Sequence, residues 1–307
     1  MSRHLLSLLV SLLLVSSTFG RTRRPVDAQP LTVESLLSGL RHTSPATWHR
    51  GMPFAFIADA VGLSLVPEAP LAAADTLPLH GSRWTYDSMV SDEDWMGQQL
   101  LQLRFLSPQG RAYRYSTGRP LSSMADTSYL PAIEPLYPLD LIVRCDSLLS
   151  SRTLYILCND ERVIYPADSL PGATVHPKYV PVTVDSVRVG HVLAPLCVYF
   201  SSGSERGYFF TSLPGSRQVA TSTPVTRFLS LTDPYLAHPD ITPEVWSRIQ
   251  HSQVAVDMTA EEVRLSWGRP SRVERGPSRS GIVELWFYSN NRVLQLWDGR
   301  LSQIGIL

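Results

Sequence analysis

Two stretches in the middle of this chain repeat each other in order, and that constrains the fold more than any single motif. Leu101–Thr117, L-Q-L-R-F-L-S-P-Q-G-R-A-Y-R-Y-S-T, matches Leu196–Thr211, L-C-V-Y-F-S-S-G-S-E-R-G-Y-F-F-T. At an offset of 95, Phe105 falls on Phe200, Arg111 on Arg206 and Tyr113 on Tyr208. Upstream, T-Y-D-S-M at Thr85–Met89 matches T-V-D-S-V at Thr183–Val187, and Gly51–Asp59 faces Arg152–Asp160. Those last two runs are each followed within a few residues by a proline, Pro67 and Pro166. Chance alignment of strands could yield one such match; matches kept in order point to duplication.

Each copy carries four or five alternating or aromatic-rich strands separated by turn residues, with hairpin loops at Ser107–Gly110 and Ser201–Glu205. The expected organisation is a β-rich domain over 32–120, a linker over 121–138 and a second β-rich domain over 139–215. Each would be sandwich-like or a small barrel, with Phe105 and Phe200 in equivalent buried sites, and Tyr113 and Tyr208 likewise. The 24 prolines fit a β chain with many turns. Before the first copy, Val33, Leu36, Leu37 and Leu40 behind Thr32 predict a capped helix over Leu31–Arg41.

The C-terminal stretch is legible by local signals. Thr259 is an N-cap, and Glu262 three residues on completes a capping box. Val263 and Trp267 lie four apart on one helix face. Gly268 suits the left-handed position after a helix, and Pro270 cannot continue one. Strands are expected at Arg272–Glu274, Ile282–Tyr288, Val293–Trp297 and Leu301–Ile306, with Asp298-Gly299 a two-residue hairpin. Pro243 after Thr242 opens an earlier helix. A linker over 216–237 precedes this unit, which spans 238–307 and reads as two helices on a three- or four-stranded meander.

The run Met258-Thr259-x-x-Glu262-Val263-x-x-x-Trp267-Gly268-x-Pro270, then Glu284–Tyr288 and Asp298-Gly299-x-Leu301, resembles the BamE-like (SmpA/OmlA) family, to which beta-lactamase inhibitor protein is related. The resemblance covers about residues 240–307 and implies two helices on a three-stranded antiparallel sheet. The helix stop and the strand alternation give Trp267 and Trp286 one direction each, so the two are expected to meet in the core of this unit, with Tyr288 on the same W-x-Y strand as Trp286. Asp257 stands where that family usually carries glycine, and no lipid-attachment cysteine follows the leader. The whole chain is therefore expected to be an α+β and all-β multidomain protein: two tandem β-rich domains, then a BamE-like domain.

Residues 1–20 read as a signal peptide, with Arg3, an apolar run at Leu5–Val15 and small residues Thr18 and Gly20, followed by a linker over 21–31. The apolar run is too short to span a bilayer, so the protein is expected to be exported, not lipidated and not membrane-spanning. The 27 basic and 27 acidic residues balance, which argues against nucleic-acid binding. Lys178 is the only lysine.

The search for chemistry finds little. The odd set Cys145, Cys158 and Cys197 leaves a thiol over; Cys145–Cys158 is the candidate disulfide, across strands Leu141–Cys145 and Leu154–Cys158, with buried free thiols as the alternative. Gly203–Gly207 (G-S-E-R-G) is no nucleophile elbow. His238-Pro239-Asp240 reads as a solvated loop, and Asp92-Glu93-Asp94 lacks the alternating ligands of a calcium loop. Tyr113, Tyr115, Tyr208 and Phe209 could form an aromatic platform, although strand alternation puts half of them in a core. No catalytic residue, metal or cofactor is expected. The expected function is an exported, non-enzymatic envelope protein that binds a protein partner or serves envelope assembly. The alternatives are inhibition of an envelope hydrolase and carbohydrate binding through aromatic strands. An apolar sheet face in the C-terminal unit would favour the protein partner.

Overall fold

The computed structural model describes residues 31–70, 79–94, 96–159, 161–168, 170, 175–215, 223–278, 281–289 and 291–306. The expected signal peptide (1–20) and most of its linker lie outside these residues, as does Asp160.

Alternation of large apolar and polar residues makes the strands. The first sheet contains β1 (Pro53–Phe56), β2 (Val66–Pro67), β3 (Arg83–Glu93), β4 (Gln99–Leu106), β5 (Ala112–Pro120) and β6 (Leu136–Pro138). In β4, Leu101, Leu103 and Phe105 are buried while Gln102 and Arg104 are not, the period of two that one covered face requires. The second sheet contains β7 (Thr153–Ile156), β8 (Val163–Ile164), β9 (Pro181–His191), β10 (Ala194–Ser202), β11 (Glu205–Thr211) and β12 (Leu229–Ser230). The strand orders are β6-β1-β3-β4-β5-β2 and β12-β7-β9-β10-β11-β8, one order with β1 replaced by β7 and so on to β12. Every neighbouring pair is antiparallel.

The correspondence extends to single residues. Gly51 (φ 84°) and Ser151 (φ 62°) both take left-handed backbone before the first strand, and their N–H groups bond Tyr86 and Val184. Gly81 (φ 75°) and Tyr179 (φ 59°) repeat this before the third, donating to the carbonyls of Phe56 and Ile156. Phe105 and Phe200 are both fully buried. Tyr113 and Tyr208, however, are not equivalent. Phe105 pairs with Tyr113, whereas Phe200 pairs with Gly207 and Tyr208 moves on to Tyr199. The first hairpin loop is one residue longer, so the offset of 95 slips by one across it, and a one-residue slip turns a side chain to the opposite face. Arg111 and Arg206 are displaced likewise.

The sheets do not keep separate cores. Phe54 and Phe56 of β1 belong to a core on the first sheet with Trp84, Phe105 and Tyr113. Ala55 and Ile57 point the other way, into a larger core shared with the second sheet. Between them lies helix α2 (Leu139–Leu149), which buries Leu141, Ile142, Cys145 and Leu149. This corrects the expected strand at Leu141–Cys145: those residues recur at helical spacing and follow Pro138, which sits at the N-cap. Helix α1 (Val33–Leu37) is shorter than expected but capped by Thr32, and it packs Val33 and Leu37 into the same core.

After α3 (Pro234–Ala237), α4 (Pro243–Gln250) and α5 (Ala260–Trp267) precede a sheet in the order β13 (Arg272–Ser278), β14 (Gly281–Phe287), β15 (Arg292–Trp297), β16 (Arg300–Ile306). The expected α+β fold class with a three-stranded BamE-like domain is therefore corrected. Among the described residues the protein is mostly β, with 40% strand, 18% helix, three sheets and five helices, and no BamE-like helix-plus-sheet domain is shown. The sheet gains its fourth strand because Arg272–Ser278 pairs with β14 along its whole length, from Arg272↔Phe287 to Ser278↔Gly281. Residues 31–307 form one compact unit, and no helix among the described residues is long and apolar enough to cross a membrane.

Candidate functional site

The local signals at the C-terminal end fold as their chemistry dictates. The Thr259 hydroxyl accepts from the Glu262 N–H at 3.2 Å, and the Glu262 carboxylate accepts from the Thr259 N–H at 2.6 Å. Gly268 ends α5 at φ 82°, and Pro270 follows before β13 begins. Asp298 (φ 47°) and Gly299 (φ 80°) form the β15–β16 turn, and the Asp298 carboxylate also accepts from the Ile282 N–H at 2.8 Å. These residues shape the unit but converge on no reaction centre.

Trp267 and Trp286 take different partners. Trp286 is fully buried, donates to Glu284 at 2.7 Å and carries the Arg264 guanidinium 4.5 Å above its ring. Trp267 is half-buried, donates to the Ser252 carbonyl at 2.9 Å and meets Tyr288 edge-on at 5.4 Å. The expected core contact between the two tryptophans is thus replaced: Trp267, at the last position of α5, reaches the rim of the core.

That rim is one wall of a cleft of about 430 Å³ between the second sheet and the C-terminal unit. Leu157–Asn159 and Lys178-Tyr179 line one side; Leu265–Gly268, Tyr288 and Arg292 line the other. Asn159 donates to the Gln250 carbonyl at 3.2 Å and accepts from Ser252 at 2.9 Å, while the Tyr179 hydroxyl donates to the Leu265 carbonyl at 3.3 Å. The Lys178 ammonium donates to the Ser266 carbonyl. Burial pushes Lys178 down to about 8, with Cys158 acting in the opposite sense, and burial pushes Tyr288 up to about 12.

A second surface lies on the C-terminal sheet. Trp286↔Leu294 and Glu284↔Leu296 face the helices, so the alternate pairs Val283↔Trp297, Leu285↔Gln295 and Phe287↔Val293 face away. Val283, Leu285, Phe287, Val293 and Trp297 are each half-buried, and none packs into any of the three cores. Arg272 lies over the Phe287 ring at 4.0 Å.

The other candidates separate. No disulfide joins Cys145 and Cys158: Cys145 is buried inside α2, and the expected hairpin between them does not form. Burial pushes Cys145 up to about 12 and Cys197 up to about 11, which leaves both thiols protonated and unreactive. Asp94 accepts from the Met96 and Gln98 N–H groups, building the β3–β4 turn. His238 lies 3.3 Å from the Glu261 carboxylate. Among the described residues no group of three His, Cys, Asp or Glu side chains could hold a metal ion. Tyr113 and Phe209 are core residues and Tyr115 is half-buried against the first core, whereas Tyr208 meets Tyr199 at 5.5 Å and Phe210 at 5.7 Å outside the cores. Sequence reading missed the cleft because its two walls lie far apart in the chain; the one available signal was a solitary lysine in an arginine-rich protein.

Compared with protein families, curated proteins and solved structures, the chain matches none.

Proposed function

We propose that this chain is an exported, non-enzymatic binding module of the cell envelope, and that its ligand is another protein docked on the open face of the C-terminal sheet. The observation that carries this is the half-buried apolar set Val283, Leu285, Phe287, Val293 and Trp297, which packs into none of the three cores. Sheet faces that pack on nothing are normally polar, and contiguous apolar patches rimmed by polar residues mark interaction sites. Phe287 and Trp297 are the large anchors such interfaces use. Arg272, Glu274, Gln295 and Gln303 share this face and supply the polar and charged groups around them, so the partner fitted is a protein surface with an apolar centre and a mixed-charge rim.

The test is site-directed. A photo-crosslinking residue at Gln295 should capture one protein from native envelopes, and Phe287→Glu with Trp297→Glu should abolish capture while melting stays cooperative. Capture undiminished by the double substitution, with crosslinks mapping elsewhere, would overturn the assignment. A second reading, sugar binding, is favoured by Tyr199, Tyr208 and Phe210 outside the cores. Loss of glycan retention on Tyr208→Ala would favour that reading instead.

A further inference from the structure

The solitary lysine stands in the cleft between the second sheet and the C-terminal unit, only 6% exposed. Arginine serves everywhere else in this chain, and placing an ammonium group out of water is costly unless something compensates it. The carbonyl of Ser266, in the last turn of α5, is one partner; as a helix C-terminal group it carries partial negative charge. It does not neutralise the ammonium. Among the described residues lining the cleft there is no carboxylate, while Arg162, Arg264 and Arg292 line it as well. Arg162 donates to Thr223, and Arg264 lies over Trp286, close enough to Glu284 to help hold that carboxyl low against the opposing effect of burial. Arg292, at the exposed mouth, lies 5.1 Å over the Trp267 ring. The cleft thus brings the Lys178 ammonium at its depth and the Arg292 guanidinium at its mouth to one opening. It also offers the crossed Trp267 and Tyr288 rings as an apolar wall.

We propose that this cleft binds a small organic anion, its carboxylate or phosphate held by Lys178 and Arg292 and its apolar part against Trp267 and Tyr288. The volume of about 430 Å³ lies in the range of small-molecule sites, roughly 300–1,000 Å³. An anion there supplies the carboxylate or phosphate charge that none of the described lining residues carries. Arginine at the mouth draws the ligand in, while the compact ammonium meets it at depth.

The chain's single lysine makes the test specific. Calorimetric titration of the mature chain would use phenyl phosphate and benzoate, and reductive methylation with formaldehyde would report the accessibility of Lys178. Binding of either probe is expected to slow Lys178 methylation. Arg292→Gln, an exposed position that leaves the fold intact, should weaken that binding at least tenfold, and Lys178→Met should abolish it if the variant folds. Phenyl phosphate binding alone would assign a phosphate ligand, and benzoate alone a carboxylate. Failure of both probes to bind at millimolar concentration, or binding that Arg292→Gln and Lys178 methylation both ignore, would overturn the proposal.

Discussion

Asp87 and Asp185 occupy the same bulge in the two six-stranded sheets. The register steps from Tyr86↔Phe105 to Ser88↔Arg104 in one and from Val184↔Phe200 to Ser186↔Tyr199 in the other, so each aspartate is the unpaired extra residue. Their partners differ. Asp87 accepts from Arg104 and from Ser88, and Arg50 Nε lies 2.9 Å away outside hydrogen-bonding geometry. Asp185 accepts from Ser201 at 2.7 Å, with Arg206 at 3.8 Å. Side-chain exposure is 6% for Asp87 and 29% for Asp185.

Asp87→Ala should therefore cost about 2 kcal/mol, as expected for lost hydrogen bonds to a charged group, while Arg104 keeps its two bonds to Glu68. Asp185→Ala should cost under about 1 kcal/mol. Urea unfolding of both variants checks the order, and equal costs would refute it. Burial alone would raise the Asp87 carboxyl, but Arg104, Ser88 and the Arg50 charge outweigh it and hold it below the usual range. Its contribution is thus present at neutral pH and lost as pH falls through the folded value.

Gly207 is the second test of the repeat. A Cβ there would stand 2.4 Å from the Phe200 ring and 2.9 Å from the Ile164 carbonyl, at the position opposite Phe200 that Tyr113 holds opposite Phe105 in the first sheet. Gly207→Ala is expected to destabilise by roughly 1–3 kcal/mol through overpacking. Phe200→Leu should rescue part of that loss, giving a favourable coupling in a double-mutant cycle. Additive costs would show that the ring and the glycine are not in contact.

His176 sets a pH dependence. Its ring, 1% exposed, is crossed by Tyr165 at 4.6 Å and by Phe200 at 5.3 Å. Burial pushes its pKa down to about 4 against the opposing pull of the Pro177 backbone. The unfolded imidazole takes up a proton near pH 6.5, so between about 6.5 and 4 the unfolded state binds more protons. Stability should fall as pH is lowered through that window, by up to about 1.4 kcal/mol per unit. His176→Leu should flatten this slope; an unchanged difference in urea midpoints between pH 7 and pH 5 would remove His176 as its source.

The tryptophans should rank. Trp286→Ala removes a fully buried ring and is expected to cost about 3–5 kcal/mol. Trp267→Ala, at a half-buried rim position, should cost about half as much while removing the apolar wall of the cleft. Thermal melts of the full chain decide the order, and a larger loss at Trp267 would place that ring in the core after all.

Short-range chemistry was determined by the sequence itself. The Thr259–Glu262 capping box, the stop at Gly268 and the Asp298-Gly299 turn each depend on residues within a few positions, and each is present. The ordered matches between the two halves likewise carry over into one shared strand order, because aligned runs place the same residues on the same strands. Three features were decided only by tertiary structure. Leu141–Cys145 reads from the sequence as a strand, and packing of Leu141, Ile142 and Cys145 between the sheets selects a helix instead. Tyr113 and Tyr208 are identical residues at a constant offset, yet one extra loop residue sends them to different faces, which strand pairing alone reveals. Lys178 meets the Ser266 carbonyl, 88 positions away, and shares the cleft with Arg292 from still further along the chain. No local pattern encodes that meeting, because it depends on how the C-terminal unit docks on Asn159 and Tyr179.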